Sequence, residues 1–142
     1  MLYLAADHNG FGAKEKIKIF LQKNKIAYQD LGNKKFQSQD DYPDFAKKVA
    51  QKISQNPQHQ GLLFCGSGQG MVMLANRYKN VRAALAYSLA AAKHSRQDED
   101  SNVLSLPVWD LSPKQIEKII MLWLSTPFSG LTRHCRRIRK LG

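Results

Sequence analysis

The sequence predicts an α/β domain built on a parallel β-sheet. Short apolar runs typical of buried strands alternate with helical stripes along the whole chain, a pattern that favours parallel strands joined by crossover helices. The chain has 142 residues, of which 43% are hydrophobic, and this length suits a single domain with a real core. We therefore expect one domain over residues 1–142.

The first half of the chain is predicted to contain two strands and two helices. The second helix has apolar residues at positions 45, 46, 49, 50 and 53, which is the spacing of one helical face, and Asn56-Pro57 ends it. In order, the predicted elements are a strand at Leu2–Ala6, a helix at Phe11–Asn24, a strand at Ile26–Leu31, a polar loop over residues 33–41, and a helix at Asp44–Gln55.

The second half is predicted to contain three strands and four helices. Ser112-Pro113-Lys114-Gln115 has the pattern of a capping box with proline at the first helical position, and Ile116, Ile119, Ile120 and Trp123 follow on one face. In order, the predicted elements are a strand at Leu62–Cys65, a helix from the glycine turn to about Arg77, a strand at Val81–Ala86, a helix from Ser88 to about Gln97, a strand at Asn102–Leu106, a helix that opens at Ser112 and ends at Pro127, and a basic helix over about 130–140.

The charge of the chain is strongly positive, at +11, with 22 basic against 11 acidic residues. Such a field attracts anions such as nucleic acids, membrane surfaces or phosphorylated metabolites. No apolar run approaches the length of a membrane span, and the N-terminus has the pattern of a first strand, so we expect a cytoplasmic protein. The spacing of Cys65 and Cys135 does not match a zinc site, and we predict no metal and no disulfide.

The most informative stretch is residues 61–71, where an apolar run ends in Cys65 and a turn with Gly66, Gly68 and Gly70 follows. Glycines let the backbone approach a ligand closely, and N–H groups at the start of a helix attract anions. Such surroundings favour a thiolate, the reactive form of cysteine. Ser67 is positioned to donate to an oxyanion or to cap the next helix. The alternative is a tight turn without a ligand and a buried, inert cysteine.

Two further pairs of residues follow predicted elements. Asp7-His8 comes directly after the first strand, where Asp7 either caps the next helix or helps His8 to hold the hydroxyls or the ring oxygen of a sugar. Arg133 and Arg137 are four residues apart, so they share one face of the last helix and suit a phosphate group. The alternative for this pair is a solvated basic face.

These pieces together resemble ribose-5-phosphate isomerase type B, within the ribose/galactose isomerase superfamily of sugar-phosphate isomerases. The resemblance covers essentially the whole chain, and the order and spacing of its short motifs make it specific. The motifs are Asp7-His8-x-Gly10, Asp41-Tyr42-Pro43, Cys65-Gly66-Ser67-Gly68-x-Gly70, Ala75-Asn76-Arg77, Arg82-Ala83-Ala84, Ser95-Arg96-Gln97, Asp100-Ser101-Asn102-Val103-Leu104 and Arg133-His134-x-x-Arg137.

The resemblance implies a Rossmann-like three-layer α/β/α sandwich with five parallel strands in the order 2-1-3-5-4. It also implies a homodimer or homotetramer with active sites at the subunit interface, to which the C-terminal basic helix contributes. The reaction implied is the interconversion of ribose 5-phosphate and ribulose 5-phosphate through a cis-enediolate, without a metal or organic cofactor. This is an activity of the pentose phosphate pathway.

The resemblance also implies roles for individual residues. Cys65 is the expected base, and the backbone of the glycine turn, with the Ser67 hydroxyl, is expected to stabilise the enediolate oxygen. Arg133 and Arg137 are expected to bind the phosphate. The expected substrate-binding residues are Asp7, His8, Tyr42, Gly66, Ser67, Gly68, Gln69, Gly70, Glu99, Arg133 and Arg137.

One departure from the family pattern concerns opening of the sugar ring. After Ser95-Arg96-Gln97 the family commonly has His-Asn, and the histidine is thought to open the ring, whereas this chain has Asp98-Glu99. An imidazole both gives and takes a proton near neutral pH, and a carboxylate only accepts one. Three alternatives stay open: Asp98 acts as the catalytic group, His94 substitutes for it, or the substrate is open-chain or a different sugar phosphate.

Two competing functions remain from the sequence. One is isomerisation of a hexose 6-phosphate, such as allose or galactose 6-phosphate. The other is a non-catalytic relative that binds a sugar phosphate or RNA through its basic C-terminus. No aromatic residues interleave the basic run Arg133–Lys140, which argues against binding of single-stranded nucleic acid, and we expect a small sugar phosphate rather than nucleic acid or membrane as the partner.

Overall fold

The computed structural model describes residues 1–142 and contains five strands and six helices. The strands are β1 (Leu2–Ala6), β2 (Tyr28–Asp30), β3 (Gln60–Cys65), β4 (Ala83–Leu85) and β5 (Val103–Pro107). The helices are α1 (Phe11–Lys23), α2 (Tyr42–Gln55), α3 (Gln69–Ala75), α4 (Leu89–Gln97), α5 (Pro113–Ser125) and α6 (Thr132–Leu141). None of these helices combines the length and the apolar character needed to cross a membrane.

The five strands form one parallel sheet in the order β2-β1-β3-β5-β4, which confirms the predicted α/β sandwich and its strand order. From β1 the chain first winds outward to β2, and then it returns past β1 to begin the other half of the sheet at β3. The direction of winding therefore reverses between β1 and β3. Ligands of open parallel sheets bind outside the carboxyl ends of the strands at such a point.

Two apolar cores lie on opposite faces of the sheet, because successive side chains of a strand alternate between faces. Along β3, Leu62 and Phe64 pack into the core beneath α1, α4 and α5, whereas Leu63 and Cys65 pack into the core beneath α2 and α3. All four side chains are buried. Alternation along the strand thus directs the thiol of Cys65 towards the α2 and α3 side of the carboxyl edge.

The predicted elements are all present, with shifts at their ends. β2 and β4 have three residues each, fewer than predicted, because both are edge strands that pair on one side only. Helix α2 begins at Tyr42 rather than at Asp44, since Pro43 is tolerated in the first turn of a helix, where its missing N–H costs nothing. Helix α3 ends at Ala75, two residues before the predicted end, and residues 33–41 form the predicted irregular loop.

The capping box predicted for α5 is present, and both of its reciprocal hydrogen bonds are formed. The Gln115 N–H donates to the Ser112 hydroxyl, and the Ser112 N–H donates to the Gln115 side-chain oxygen at 2.8 Å. The helix then buries Ile116, Ile119 and Ile120 against the sheet. Local sequence therefore accounts for both the start of this helix and the face that it buries.

Candidate active site

Cys65 and Asp7 form a buried pair at the carboxyl ends of β1 and β3. The parallel register places Ala6 beside Phe64, so the residues that follow them, Asp7 and Cys65, lie side by side. The thiol donates to the Asp7 carboxylate, with Sγ 2.8 Å from Oδ2, and the other carboxylate oxygen accepts from the Gly10 N–H at 2.9 Å. Asp7 is 3% exposed, so it caps the turn and holds the thiol at the same time.

The thiol of Cys65 is protonated at rest. Burial and the neighbouring Asp7 carboxylate raise its pKa to about 11, against the opposing effect of the Gly68 and Gly66 N–H groups. The expectation that the turn favours a thiolate is therefore wrong for the chain alone. The reason is that desolvation and the Asp7 charge outweigh the backbone dipoles. Removal of the thiol proton needs an acceptor, and Asp7 is the group in contact with it.

The glycine turn brings the backbone around Cys65 and leads directly into α3. Gly68 has a φ of 73°, in the left-handed region that favours glycine, and a Cβ there would lie 2.6 Å from Leu85 Cδ1. The Ser67 hydroxyl accepts from the Gln69 N–H at 3.4 Å, a local contact just before α3, whose N-cap is Gly68. Ser67 is half-buried and Gln69 exposed, so both side chains remain accessible from solvent.

Two aromatic rings lie against the turn because two of its positions lack a Cβ. A Cβ at Gly66 would overlap the indole of Trp109, and a Cβ at Gly70 would overlap the phenol ring of Tyr42. The backbone N–H of Trp109 also donates to the Gly66 carbonyl at 3.1 Å. Tyr42 was predicted to be near the site, and the structure places it there. Trp109 was missed, although its position two residues after β5 was a signal, since β5 ends at the same edge.

His8 lies at this edge too, and its imidazole is held by Asp40. The Nδ1 atom lies 2.7 Å from Asp40 Oδ1, and the His8 backbone N–H donates to the same oxygen at 2.9 Å. The hydrogen bond to Asp40 is the main reason that the pKa of His8 is raised, and the charge of Asp7 adds to it. Asp40 was not selected from the sequence, because nothing local connects it with a histidine 32 residues earlier.

The remaining predicted site residues lie at the opposite edge of the sheet. Helix α4 starts after the carboxyl end of β4 and runs back along the sheet, so Asp98 at its C-terminal end lies near the strand starts. Asp98 lies 3.4 Å from His94 and 3.8 Å from His134 of α6. Helix α6 carries the predicted phosphate ligands as exposed side chains. Within one chain, the structure therefore does not bring Asp98, Glu99, Arg133 or Arg137 to Cys65.

A cavity of about 900 Å³ lies at this second edge. It is bounded by the end of α3, the start of β4 and helix α6, and it is lined by Arg77, Arg82, Glu99 and Arg139 among others. It contains neither Cys65 nor the glycine turn, so we assign the reactive site to the carboxyl edge on chemical grounds. No group of three His, Cys, Asp or Glu side chains is arranged to hold a metal ion.

Comparison with protein families gives one match that spans nearly the whole chain. The Ribose/Galactose Isomerase family matches residues 2–141. Among individual sequences, the probable ribose-5-phosphate isomerase B of Mycoplasma pneumoniae is 37% identical over 140 residues, which are 99% of this chain and 91% of that protein. The predicted resemblance is thereby confirmed.

Solved structures with the same fold come from several bacteria. A ribose 5-phosphate isomerase of Thermotoga maritima has a TM-score of 0.93 and 42% identity, covering 99% of this chain and 95% of that one. Ribose-5-phosphate isomerase B of Mycoplasma genitalium, crystallised with bound ribulose-5-phosphate, has a TM-score of 0.95 and 39% identity, covering 99% and 92%. These values extend the likeness from sequence motifs to the complete arrangement of strands and helices.

Proposed function

Because the chain belongs to the ribose/galactose isomerase family, we propose that it is a ribose-5-phosphate isomerase of type B. It interconverts ribose 5-phosphate and ribulose 5-phosphate as a cytoplasmic enzyme of the pentose phosphate pathway. The observation that carries the proposal is the Cys65 thiol, hydrogen-bonded to Asp7 and enclosed by the glycine turn. The bound ribulose-5-phosphate of the Mycoplasma genitalium relative supports the choice of substrate.

In this proposal Cys65 moves one proton between two carbons of the open-chain sugar. Asp7 accepts the thiol proton, and the thiolate then removes the proton from C2 of the aldose, which gives a cis-enediolate. A proton passes from the C2 oxygen to the C1 oxygen, and Cys65 returns the carbon-bound proton to C1, which gives the ketose. Since the pKa of Cys65 is about 11 at rest, transfer of its proton to Asp7 is part of the barrier.

The turn stabilises the charge that develops on the enediolate. N–H groups of Gly66 to Gly70 and the Ser67 hydroxyl are preorganised donors, which lower the energy of an oxyanion more than that of a neutral carbonyl. Tyr42 covers one side of the turn at Gly70 and is exposed to the space above it. His8 and Asp7 line the sugar end of the site, with Asp7 acting through the thiol and His8 contacting the sugar.

The active enzyme is a homodimer in which each site draws on both chains. Arg133 and Arg137 bind the phosphate, but in one chain α6 lies at the opposite edge of the sheet from Cys65. A second copy, related by two-fold symmetry, supplies its α6 to the site, and Asp98 enters with that helix because it lies beside His134. Domain 1–142 thus functions as one unit whose C-terminal helix serves the neighbouring copy.

The test is turnover by the purified protein on ribose 5-phosphate, with allose 6-phosphate and galactose 6-phosphate as competing substrates. Cys65→Ala removes nearly all turnover, and Cys135→Ser, a change at the second cysteine on α6, serves as the matched control. Turnover of a hexose phosphate in preference to the pentose would replace the substrate class and keep the reaction type. Absence of turnover on all three, from folded protein, would favour a relative that binds a sugar phosphate or RNA.

A further inference from the structure

We propose that Trp109 binds the substrate by stacking its exposed indole on the C–H face of the sugar chain, an inference that rests on the isomerase function proposed above. A tryptophan is highly buried in most proteins, because its ring is the largest apolar side chain. Trp109 is instead 70% exposed, and it follows the carboxyl end of β5, next to the strand that ends in Cys65. Apolar surface left exposed in a cleft is typical of a ligand-binding surface.

The second tryptophan of the chain shows the ordinary arrangement. Trp123 is fully buried in the core beneath α1, α4 and α5, and its indole N–H donates to the Ser101 hydroxyl at 2.8 Å. It therefore has the apolar surroundings and the polar partner of a core tryptophan. Trp109 contributes little to either core, so core packing does not account for a large aromatic ring at this position.

Backbone hydrogen bonds hold Trp109 in a fixed position relative to the thiol. Strand β5 runs beside β3 with Pro107 opposite Cys65. Beyond that pair, the Val108 N–H donates to the Cys65 carbonyl at 3.0 Å, and the backbone N–H of Trp109 donates to the Gly66 carbonyl at 3.1 Å. The location of the indole thus follows from the pairing of two central strands, and it is set before any ligand binds.

One part of the indole lies on Gly66, and the rest of the ring faces the solvent. A Cβ at Gly66 would overlap Cδ2, Cε2 and Cζ2 of the indole, so the fused rings rest directly on the backbone of the turn. With the ring 70% exposed, the surface away from Gly66 is open. The glycine at this position therefore allows a flat apolar surface to border the turn whose N–H groups face the enediolate.

A sugar chain suits such a surface. Its oxygens need hydrogen-bond donors, which the turn supplies, whereas its C–H bonds are weakly positive and apolar. The face of an indole carries the negative part of the ring quadrupole and attracts such C–H groups, and contact removes apolar area of both partners from water. Tyr42 borders the same turn at Gly70. The substrate then lies over the turn with an aromatic ring at either end and with less water around the reacting carbons.

A kinetic test separates contact with the sugar from mere support of the turn. Trp109→Ala removes the ring, and Trp109→Phe retains a six-membered aromatic ring. Tyr87→Ala is the matched control, because Tyr87 is an aromatic residue that is 65% exposed and follows the end of the edge strand β4. We would measure KM and kcat on ribose 5-phosphate for each variant, with thermal melts to verify folding and light scattering to measure the mass.

The proposal expects Trp109→Ala to raise KM by about tenfold, the size of one well-packed aromatic contact. The value of kcat should stay within about threefold of the wild type, because a contact made equally in the ground state and the transition state changes KM alone. Trp109→Phe and Tyr87→Ala should each change KM by less than about threefold. Unchanged KM in Trp109→Ala, a fall in kcat at unchanged KM, or a fall to a smaller oligomer would overturn the proposal.

Fluorescence tests the contact in the unaltered protein. Ribitol 5-phosphate lacks the carbonyl group and cannot react, and its occupancy can be measured by calorimetry. Its binding should shift the tryptophan emission to shorter wavelength, since it removes water from the exposed Trp109, whereas Trp123 is already buried. Trp109→Phe should lack the shift. An unchanged spectrum at full occupancy, or an equal shift with inorganic phosphate alone, would overturn the proposal. If the wild type does not turn over ribose 5-phosphate, the proposed function fails, and the titration still decides whether the ring contacts a sugar phosphate.

Discussion

Mixing two impaired variants tests whether each active site uses two chains. Cys65→Ala removes the proposed base at the carboxyl edge of the sheet, and Arg137→Ala removes a proposed phosphate ligand on α6 at the other edge. Loss of a hydrogen bond to a charged group costs about 1.5–3 kcal/mol, so we expect Arg137→Ala to lower kcat/KM by roughly 10- to 100-fold. Cys65→Ala by itself is then nearly inactive on ribose 5-phosphate, and Arg137→Ala by itself keeps about 1–10% of the wild-type kcat/KM.

The activity of the mixture follows from two-fold symmetry. In a mixed dimer, one site combines both defects, and the other combines the intact Cys65 of one chain with the intact Arg137 of the second. After random exchange of equal amounts, half of the dimers are mixed, and each has one working site of two. The mixture should therefore recover about a quarter of the wild-type activity.

The assay is turnover of ribose 5-phosphate before and after subunit exchange, with the mass of each sample measured by light scattering. Exchange is verified with one variant carrying a size tag. Sites built within one chain predict no recovery, since every chain in the mixture then carries one defect. A mixture of verified heterodimers that stays inactive would refute the two-chain site, and a monomeric mass for the active wild type would refute it as well.

Three further predictions concern ionisation and stability. The pKa of Cys65 is raised to about 11 in the folded protein, so the thiol of the unfolded chain ionises first as the pH rises. The free energy of unfolding should therefore fall between about pH 9 and about pH 11. Denaturant titrations of Cys65→Ala over the same pH range should lack this decrease. Gly68→Ala should cost about 1–2 kcal/mol for the left-handed backbone, whereas the control Gly12→Ala, in an open helical position, should stabilise by about 0.5–1 kcal/mol. Lys14→Met should lower the free energy of unfolding by about 1.5–3 kcal/mol, because it removes the buried ammonium that pairs with Asp30 and leaves Asp30 with Lys18 as its remaining cation. A loss below about 0.5 kcal/mol in urea titrations would contradict this.

The elements of the fold were largely predictable because their signals are local. The apolar stripe of α2, the capping box of α5 and the glycine turn after β3 each lie within a few consecutive residues, and all three are present. The exact lengths of β2 and β4 were not predictable. These edge strands are shorter than their apolar runs because a ladder ends where the neighbouring strand no longer pairs with it.

The candidate site was predicted in part. Cys65, the glycine turn, His8 and Tyr42 share one edge of the sheet, as their positions after strands or at a helix start suggested. Asp40 and Trp109 were not predicted. Their contacts with His8 and with Gly66 depend on how a loop and a strand end fold back across the sheet, and no local pattern encodes such contacts.

The sequence by itself determined the order of elements, the family and the presence of a thiol beside a glycine turn, since each follows from spacing along the chain. The tertiary structure decided three other matters. The proton stays on Cys65 because burial and Asp7 raise its pKa, Asp40 holds His8 across 32 positions, and α6 lies at the edge opposite the thiol. Protonation depends on desolvation and on charges from distant segments, and the pairing of remote groups depends on packing, so neither is encoded in any short stretch of residues.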